Sequence, residues 1–515
     1  MTGGFASGWE SLEVRFRGKE ILGVGALAAA AFLIHGYHPF SEDAETYLPG
    51  IEKVLHPHLF PIGTEYFRLH ADLTLFPQLI AGTVRFLHMP LPWAILLWQA
   101  ASFFLFLLAC WKLMCHVFAD RRACWAGVAL VAALFTMPVA GTALYLMDPF
   151  LNPRNIIAFA QLFAVLKVME RKYIQALLFL VFAIAVHPLM GAIAASFCVV
   201  MVVVERWPSR QSGWMTDAVE TGAHRRDMAV PAVLLFQPIG GLFNSPDHAY
   251  DNVMLSHRYQ LLTRWTWYEM LGAVAPVFIF WAFSAIGRAR KMRSLELLSR
   301  GMAIYGAIYL VVGLVVSIPR RLEVLALLQP MRSLQLMYVV MLLFGGGLLG
   351  EYVLRNKAWR WAALFLPLAG GMAYAQRALF PASQHIEWPG VQPRNQWAQA
   401  FVWVRENTPE DAIFALDPYY MSIPGEDENG FRAIAQRSQL ADGLKDGGVV
   451  EMFPYIGESW SAQVKAQTGI DGFGTADFAR LKHDFGASWV ILRQRGSVGL
   501  DCPYRNDVVM VCRIP

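Results

Sequence analysis

Residues 73–89 read LTLFPQLIAGTVRFLHM, and the place of this stretch relative to a membrane decides the topology of the chain. The stretch is apolar enough to be taken for a transmembrane helix, but it carries Arg85 and His88 and ends at Pro90. A charge at mid-bilayer is costly, whereas an amphipathic helix in the interface keeps its polar side chains in water. We therefore predict that residues 73–89 form a helix that lies in the membrane interface.

The composition of the chain is that of a membrane protein. Of its 515 residues, 56% are hydrophobic and 16% are charged, whereas an average soluble domain has about 25% charged residues. The charged residues fall between apolar stretches, as expected for a bundle of spanning helices. The net charge of +4 comes from short loops and gives no reason to expect a nucleic-acid partner.

About eleven apolar segments are long enough to be predicted as transmembrane helices. Arg15, Arg17 and Lys19 precede the first of them, and no small-residue cleavage site follows it, so we predict an uncleaved helix. The predicted spans lie near residues 20–37, 91–111, 124–143, 154–168, 173–188, 189–204, 228–243, 270–286, 300–318, 333–350 and 359–376.

The lysines and arginines of the connecting loops orient these helices. With the N-terminus in the cytoplasm, every inside connection is basic, as the positive-inside rule requires. These connections are residues 112–122, 167–172, 205–227, 287–299 and 351–358. Counting residues 73–89 as a span would place most of these basic clusters outside. We therefore predict a transmembrane domain of residues 1–376, with its long first loop, residues 38–90, on the outer face.

The composition of the sequence changes abruptly at residue 377. The pattern of residues 377–515 predicts a small extracytoplasmic α/β domain. The predicted elements are a helix at residues 397–405, strands at 411–416, 488–492 and 508–511, and a second helix at 478–482. Cys502 and Cys512 lie on two short apolar runs that a turn separates. Facing strands could join them in a disulfide in an oxidising compartment. The sequence alone leaves both redox states open.

The acidic motif HPFSEDAETY, residues 38–47, directly follows the first predicted span. Glu42, Asp43 and Glu45 lie there beside an apolar surface, where desolvation can raise the pKa of a carboxylate toward that of a useful base. The pattern equally fits a helix N-cap, with Ser41 followed by acids in the first turn. Both interpretations stay open on spacing alone.

Basic residues on the predicted outer face depart from the positive-inside rule and indicate an anionic ligand. Arg320, Arg321 and Arg332 flank the fourth outer loop, and His257 and Arg258 lie in the third. An arginine binds phosphate bidentately and stays charged, although adjacent arginines are also common interfacial anchors. Together with the acidic motif, they predict one outer-face site in which a carboxylate is the base and guanidinium groups hold a phosphorylated lipid.

The sequence predicts no resident metal or nucleotide site. None of its six cysteines shows metal-ligand spacing, and the prolines around His56 and His58 are typical of a turn. A P-loop, a dinucleotide fingerprint, HExxH and GxSxG in a suitable context are all missing from the sequence.

With these features the chain resembles the C-type (GT-C) glycosyltransferases, which are integral membrane enzymes that use polyprenyl-phosphate sugars. The resemblance rests on a first span followed by an acidic outer loop with the motif Glu42–Tyr47, on Asp148 in the second outer loop, and on an outer C-terminal domain. Segments 329–333, 403–411 and 431–438 look like uncharacterised bacterial members. The chain has Glu42-Asp43 where the commoner pair is Asp-Glu or Asp-Asp, which leaves open which acid is the base.

The resemblance implies inverting transfer of a sugar from a polyprenyl-phosphate donor to a glycan, lipid or protein acceptor. The reaction would take place at the outer face of the bacterial cytoplasmic membrane. Asp43 would be the base, with Glu42 and Glu45 beside it, and Asp148 would orient the acceptor or help to hold a divalent cation. The residues implied in binding the donor are Arg320, Arg321, Arg332, Arg258, His257 and Tyr47.

Two other classes of protein fit the same residues. A transporter or flippase of an anionic lipid or glycan would use the arginines and need no base. Transporters often show internal repeats and broken spans, whereas this sequence has no clear repeat and its charges cluster at the ends of spans. A relative without catalytic activity could serve as a membrane assembly subunit. An assay of sugar transfer separates the enzyme from both alternatives.

Overall fold

The structure is a computed structural model that describes residues 18–206, 258–318, 325–493 and 499–515. Its first part is helical. In chain order the helices are α1 (Gly18–His35), α2 (Ala44–Leu55), α3 (Glu65–Ala71), α4 (Phe76–Leu87), α5 (Leu91–Val117), α6 (Arg121–Ala133), α7 (Pro153–Met169), α8 (Tyr173–Val186), α9 (Pro188–Arg206), α10 (Trp267–Ala289), α11 (Arg293–Ser317), α12 (Ser333–Leu348) and α13 (Ala358–Leu379).

Among the described residues, six helical segments are long and apolar enough to cross a membrane. They are α1, α5, α9, α10, α11 and the segment Leu325–Leu354, which contains α12. They have 18 to 30 residues, which at 1.5 Å per residue is about 27 to 45 Å, whereas the hydrocarbon core of a bilayer is about 30 Å thick. Leu22, Phe278, Trp281 and Val311 are exposed on these helices, as a lipid-facing surface requires. The predicted polytopic helical architecture is confirmed.

The count of about eleven spans stays a prediction. The predicted spans 154–168 and 173–188 correspond to α7, with 17 residues, and α8, with 14 residues. The predicted span 359–376 corresponds to α13, whereas 228–243 lies outside the described residues.

The predicted span 124–143 is helical only at its beginning, because α6 ends at Ala133. Pro138 follows, and a proline has no N–H to continue a helix. Ala140 and Ala143 then adopt positive φ angles, and Pro138 forms an isolated β-bridge with Tyr145. The chain therefore leaves the helical path and folds into the long irregular segment that carries Asp148.

Residues 73–89 form the short amphipathic helix α4. With 12 residues it is about 18 Å long, too short to cross the hydrocarbon core. Phe76 and Ile80 are buried against the bundle, whereas Phe86 on the other face is 83% exposed. The prediction that this stretch is not a span agrees with this geometry.

A five-stranded mixed sheet follows the last helix of the bundle. Its strands are β1 (Ile413–Ala415), β2 (Ser438–Gln439), β3 (Trp489–Arg493), β4 (Asp501–Arg505) and β5 (Val509–Arg513). The strand order is β2-β1-β3-β5-β4, with β2, β1 and β3 parallel and β5 antiparallel to both β3 and β4. The helices around the sheet are α14 (Gln396–Asn407), α15 (Phe431–Ala435), α16 (Lys445–Met452), α17 (Gly457–Gln467) and α18 (Thr475–Phe485).

The predicted α/β character of this region is confirmed, since β1, β3 and β5 lie at the predicted strands. Trp397, Phe401, Phe414 and Val511 pack into its core. A disulfide joins Cys502 on β4 to Cys512 on β5, so the structure has the oxidised form of the pair. The domain boundary at residues 376/377 stays a prediction, and α13 runs to Leu379.

The first loop and the C-terminal domain are bound to each other through their backbones. The N–H of Glu42 donates to the carbonyl of Glu428 at 2.9 Å, and the N–H of Gly430 donates to the carbonyl of Phe40 at 2.8 Å. Because α2 packs directly on α15, residues from the bundle and from the domain meet at one place. We call this end of the helix bundle the domain end.

Candidate functional site

Asp43 lies at the domain end, where the chain leaves α1 and begins α2. It occupies the N-cap position of α2, but its side chain caps no backbone N–H. The hydroxyl of Ser41 donates to the carbonyl of His38 instead. Capping by either side chain is therefore wrong, and the Asp43 carboxylate is available for other contacts. Glu42 has a φ of 57°, a conformation that is strained for a residue with a side chain and is often found at functional sites.

Asp148 is fixed by amide side chains from its own loop, from α5 and from the first turn of α7. The Asn152 side-chain amide donates to Asp148 Oδ2 at 2.6 Å, and Asn152 also caps α7 by accepting the N–H of Asn155. The Asp148 N–H donates to Asn155 Oδ1 at 3.1 Å, and Gln99 Nε2 donates to the Asp148 carbonyl at 2.8 Å. Since each of these groups is buried, the position of the carboxylate is determined by the fold.

Arg154 connects the two carboxylates. Its Nη2 lies 3.1 Å from Asp43 Oδ2 and 3.3 Å from Asp148 Oδ2. The side chains of Arg154 and Asp148 are 6% and 3% exposed, whereas Asp43 keeps 29% of its side-chain surface accessible. Of the two acids, Asp43 is therefore the one that a substrate can reach.

The C-terminal domain contributes Lys445, which lies at the start of α16. Its Nζ is 3.3 Å from Asp43 Oδ1 and pairs closely with the Glu42 carboxylate. Burial would raise the pKa of Asp43, but the charges of Lys445, Arg154 and Arg332 outweigh it and hold that pKa below its usual range. Asp43 is therefore ionised at neutral pH.

Glu428 lies beside this pair, and its environment favours the protonated form. Burial and then the negative charge of Glu42 raise the pKa of Glu428, and the two acids share a side-chain hydrogen bond. A protonated Glu428 donates to the Glu42 carboxylate. Protonation removes the negative charge of Glu428, so no further cation is needed at the domain end to balance it.

Arg332 remains as a cation without an anionic partner among the described residues. It ends a short 3-10 turn, Pro330–Arg332, directly before α12. Its Nε is buried and has no hydrogen-bond partner in the described part of the chain, yet Arg332 is close enough to lower the pKa of Asp43. A buried donor without a partner costs about 1–3 kcal/mol, so an anionic ligand at this position would remove a penalty as well as add an interaction.

His70 on α3 adds a neutral imidazole to the same place. Its pKa is lowered to about 4, chiefly by burial, with Asp43 opposing that effect and Arg332 and Arg154 adding to it. Its Nδ1 is buried without a hydrogen-bond partner among the described residues. The ring contacts Tyr47 edge-on at 5.3 Å between centroids. Burial and the charge of Asp43 raise the pKa of Tyr47 to about 12, so its hydroxyl keeps its proton.

Five of the ten predicted residues come together in the structure: Glu42, Asp43, Tyr47, Asp148 and Arg332. We use "charged site" for the group formed by Glu42, Asp43, Asp148, Arg154, Arg332 and Lys445. Glu45 does not belong to it: this residue is buried in the domain contact, where it accepts from the Ala433 N–H at 3.2 Å and from Gln439 Nε2 at 2.9 Å and faces Arg432. Arg320, Arg321 and His257 lie outside the described residues, and only the backbone of Arg258 is described.

Arg154 lies between the two carboxylates that a divalent cation would bind. These carboxylates, Asp43 and Asp148, already share one nitrogen of Arg154. Among the described residues, no cluster of three or more His, Cys, Asp or Glu side chains is placed to hold a metal. The guanidinium takes the position between the acids and supplies the positive charge there.

Sequence reasoning missed four residues near Asp43: Arg154, Lys445, Glu428 and His70. Arg154 carried a usable signal, since a cation in the first turn of a helix opposes the helix dipole, and a cation on the outer face opposes the positive-inside rule. Lys445 and Glu428 carried no such signal, because their place beside Asp43 follows from the packing of the C-terminal domain.

Comparisons with known proteins add little to this geometry. No protein-family model matches the sequence, and no curated protein matches it. Among solved structures, the chain is similar to the oligosaccharyltransferase of Archaeoglobus fulgidus in its apo form, with 15% identity and a TM-score of 0.44, over 93% of this chain and 70% of that one. It is also similar to the archaeal oligosaccharyltransferase AglB from the same organism in complex with an inhibitory peptide and a dolichol-phosphate. That match has 14% identity and a TM-score of 0.41, over 92% of this chain and 69% of that one.

Proposed function

We propose that the chain is an inverting glycosyltransferase that moves a sugar from a polyprenyl-phosphate donor to an acceptor hydroxyl. The reaction takes place at the outer face of a bacterial cytoplasmic membrane, with the C-terminal domain outside. One observation carries the proposal: the partly exposed carboxylate of Asp43 lies in the same charged site as Arg332, whose buried Nε has no partner among the residues that the structure describes. These are the two groups that the reaction needs, a proton acceptor and a cation for the leaving phosphate.

The transfer is one displacement. The acceptor oxygen bonds to the anomeric carbon on the face opposite the phosphate, and its proton goes to a carboxylate oxygen of Asp43. The bond between the anomeric carbon and the phosphate oxygen breaks, and its electron pair stays on the phosphate. A single displacement inverts the anomeric configuration. Since the lipid phosphate is already a weak base, no general acid is needed to protonate it.

Asp43 is a weak base, because Lys445 and Arg154 keep its pKa low. A weak base suffices if the proton moves late, when the acceptor oxygen has begun to bond to the anomeric carbon and has become strongly acidic. Each carboxylate oxygen has two lone pairs, so the two cations leave room for a hydroxyl on the exposed side of Asp43. Asp148, which is 3% exposed, acts through Arg154 and is a positioning residue.

Arg332 is the group that binds the donor in this proposal. Lys445 and Arg154 are paired with carboxylates, whereas Arg332 forms no ion pair with a described residue. An arginine presents a planar fork that matches two phosphate oxygens. As the donor bond breaks, negative charge grows on these oxygens, and the attraction to Arg332 increases in the transition state.

A cleavage assay tests the proposal. The full-length protein in nanodiscs is incubated with a panel of polyprenyl-phosphate hexoses and pentoses, and released polyprenyl phosphate is measured. Asp43→Asn is expected to lower the rate at least about 100-fold, within the usual range for loss of a general base. Asp72→Asn is the matched control, since Asp72 is an exposed acid of the same loop, and it is expected to leave the rate unchanged.

Two results would overturn the proposal. A wild-type rate in Asp43→Asn would show that Asp43 is not the base. Movement of lipid-linked sugars across vesicle membranes without cleavage of any donor would show that the same cations serve a flippase.

A further inference from the structure

A second polar cavity lies at the domain end, between the end of α13, the loop that follows it and the turn after α1. Its volume is about 310 Å³, and no member of the charged site lines it. The side chains that bring polar atoms or charge to it include His38, Gln376, Arg377, His385 and Arg394. This cavity is not used in the transfer reaction proposed above.

Three buried polar atoms of this cavity have no hydrogen-bond partner among the described residues. They are His38 Nε2, His385 Nδ1 and Gln376 Oε1, and the side chains of His38 and Gln376 belong to residues that are 1% exposed. Because an unsatisfied buried polar group is costly, three of them in one cavity indicate a ligand. A glutamine amide can present either its oxygen or its NH₂ group to such a ligand.

The two histidine nitrogens converge. A Cβ atom placed on Gly36 would lie 3.1 Å from His385 Nδ1 and 3.2 Å from His38 Nε2, so both nitrogens face the turn at Gly36. Their other ring nitrogens are fixed: His385 Nε2 donates to the Leu33 carbonyl at 2.8 Å, and His38 Nδ1 lies 3.0 Å from Glu387 Oε1.

The charge of the cavity favours an anion. Arg377 and Arg394 line it, and neither guanidinium forms an ion pair with a described residue. The lining contains no carboxylate. Two arginines with a glutamine amide beside them can bind a phosphate.

Apolar surface continues from this cavity along the helices. On α1, Leu33 is 65% exposed, and on α13, Tyr374 and Leu379 are 77% and 52% exposed. Leu379 directly precedes the lining residue Phe380, and the carbonyl of Leu33 accepts the hydrogen bond from His385. We propose that the cavity binds the phosphate headgroup of an anionic phospholipid from the leaflet at the domain end, with its acyl chains along α1 and α13. This site is separate from the donor site and does not depend on the proposed enzyme activity.

Lipid binding to the full-length protein tests this inference. The protein is placed in nanodiscs of phosphatidylcholine with and without phosphatidylglycerol, and the retained lipid is measured by native mass spectrometry. Arg377→Gln and Arg394→Gln are each expected to weaken retention of phosphatidylglycerol about fivefold, as expected for one basic residue near a membrane surface. Arg505→Gln removes the same charge from an exposed position of β4 and is expected to have no effect.

Three results would overturn the inference. Equal retention of phosphatidylcholine and phosphatidylglycerol would show that the cavity does not select an anion. An equal loss in Arg505→Gln would show non-specific attraction. Protection of the protein against thermal unfolding by inorganic phosphate, with no further gain from phosphatidylglycerol, would show that a free anion is the ligand.

Discussion

Replacing Arg154 by glutamine is expected to destabilise the protein strongly, because it removes the cation between two acids. Arg154 Nη2 lies 3.1 Å from Asp43 Oδ2 and 3.3 Å from Asp148 Oδ2, so these two oxygens lie within about 6.5 Å of each other in a region of low dielectric constant. Breaking a buried ion pair by removing one partner costs about 3–5 kcal/mol. For a chain of this length we expect an apparent unfolding midpoint lower by roughly 5 °C.

The protonation of Asp148 gives this prediction a second, more specific readout. Burial already raises the pKa of Asp148, and Arg154 opposes that rise. Without Arg154, the folded state is expected to bind a proton at Asp148, so the loss of stability should shrink as the pH falls from 8 to 5. Asp148→Asn removes the charge by mutation, and the double variant Arg154→Gln/Asp148→Asn is expected to recover at least about 1 kcal/mol relative to additivity.

The measurement is the midpoint of thermal unfolding in detergent, followed by intrinsic fluorescence at several pH values. Arg68→Gln is the matched control, because Arg68 lies 3.3 Å from Asp72 but both side chains are more than 60% exposed. An exposed pair is worth less than about 1 kcal/mol. A wild-type midpoint in Arg154→Gln, or a double variant with no recovery, would refute the reasoning.

Three further predictions concern the domain contact, the cation and the donor. Burial raises the pKa of Glu45 from 4.5 to about 8. Between about pH 5 and pH 8 the folded protein therefore holds a proton that the unfolded chain has lost, so the stability of the fold should decrease as the pH rises through this range. Thermal unfolding of Glu45→Gln should show a weaker dependence on pH. EDTA should leave sugar transfer unchanged, since Arg154 lies where a divalent cation would bind, and a loss of activity that Mg²⁺ or Mn²⁺ restores would contradict this. Arg332→Lys should lower kcat/KM for the lipid donor about tenfold, and Arg332→Gln should lower it by more, as expected for the loss of charged hydrogen bonds. If neither variant changed kcat/KM, Arg332 would not bind the donor.

The helical architecture was predictable because it depends on local properties of the sequence. Apolar runs of sufficient length predict spanning helices, and Arg85, His88 and the basic inside loops together placed α4 outside the spans. The prediction for 124–143 was wrong after Ala133, because hydropathy does not register that Pro138 cannot continue a helix. An apolar stretch that contains a proline is therefore not a continuous helix here.

The candidate site was only partly predictable, because its ion pairs join distant parts of the chain. Arg154 and Asp43 are 111 residues apart, and Lys445 and Asp43 are 402 residues apart. Spacing in the sequence places Asp43 in an acidic motif but does not reveal which cations face it. It also groups Asp43 with Glu45, although residues two apart do not share a face of a helix. In the structure, Glu45 points into the domain contact and Asp43 into the charged site.

The anomeric configuration of the product tests the central claim most directly. The full-length protein is supplied with a polyprenyl-phosphate sugar of known configuration and an acceptor that it uses, and the new glycosidic bond is analysed by NMR. A single displacement with Asp43 as base predicts a product of inverted configuration, formed by the wild-type protein and by Asp72→Asn but not by Asp43→Asn. A product with retained configuration, or one formed equally well by Asp43→Asn, would contradict the account.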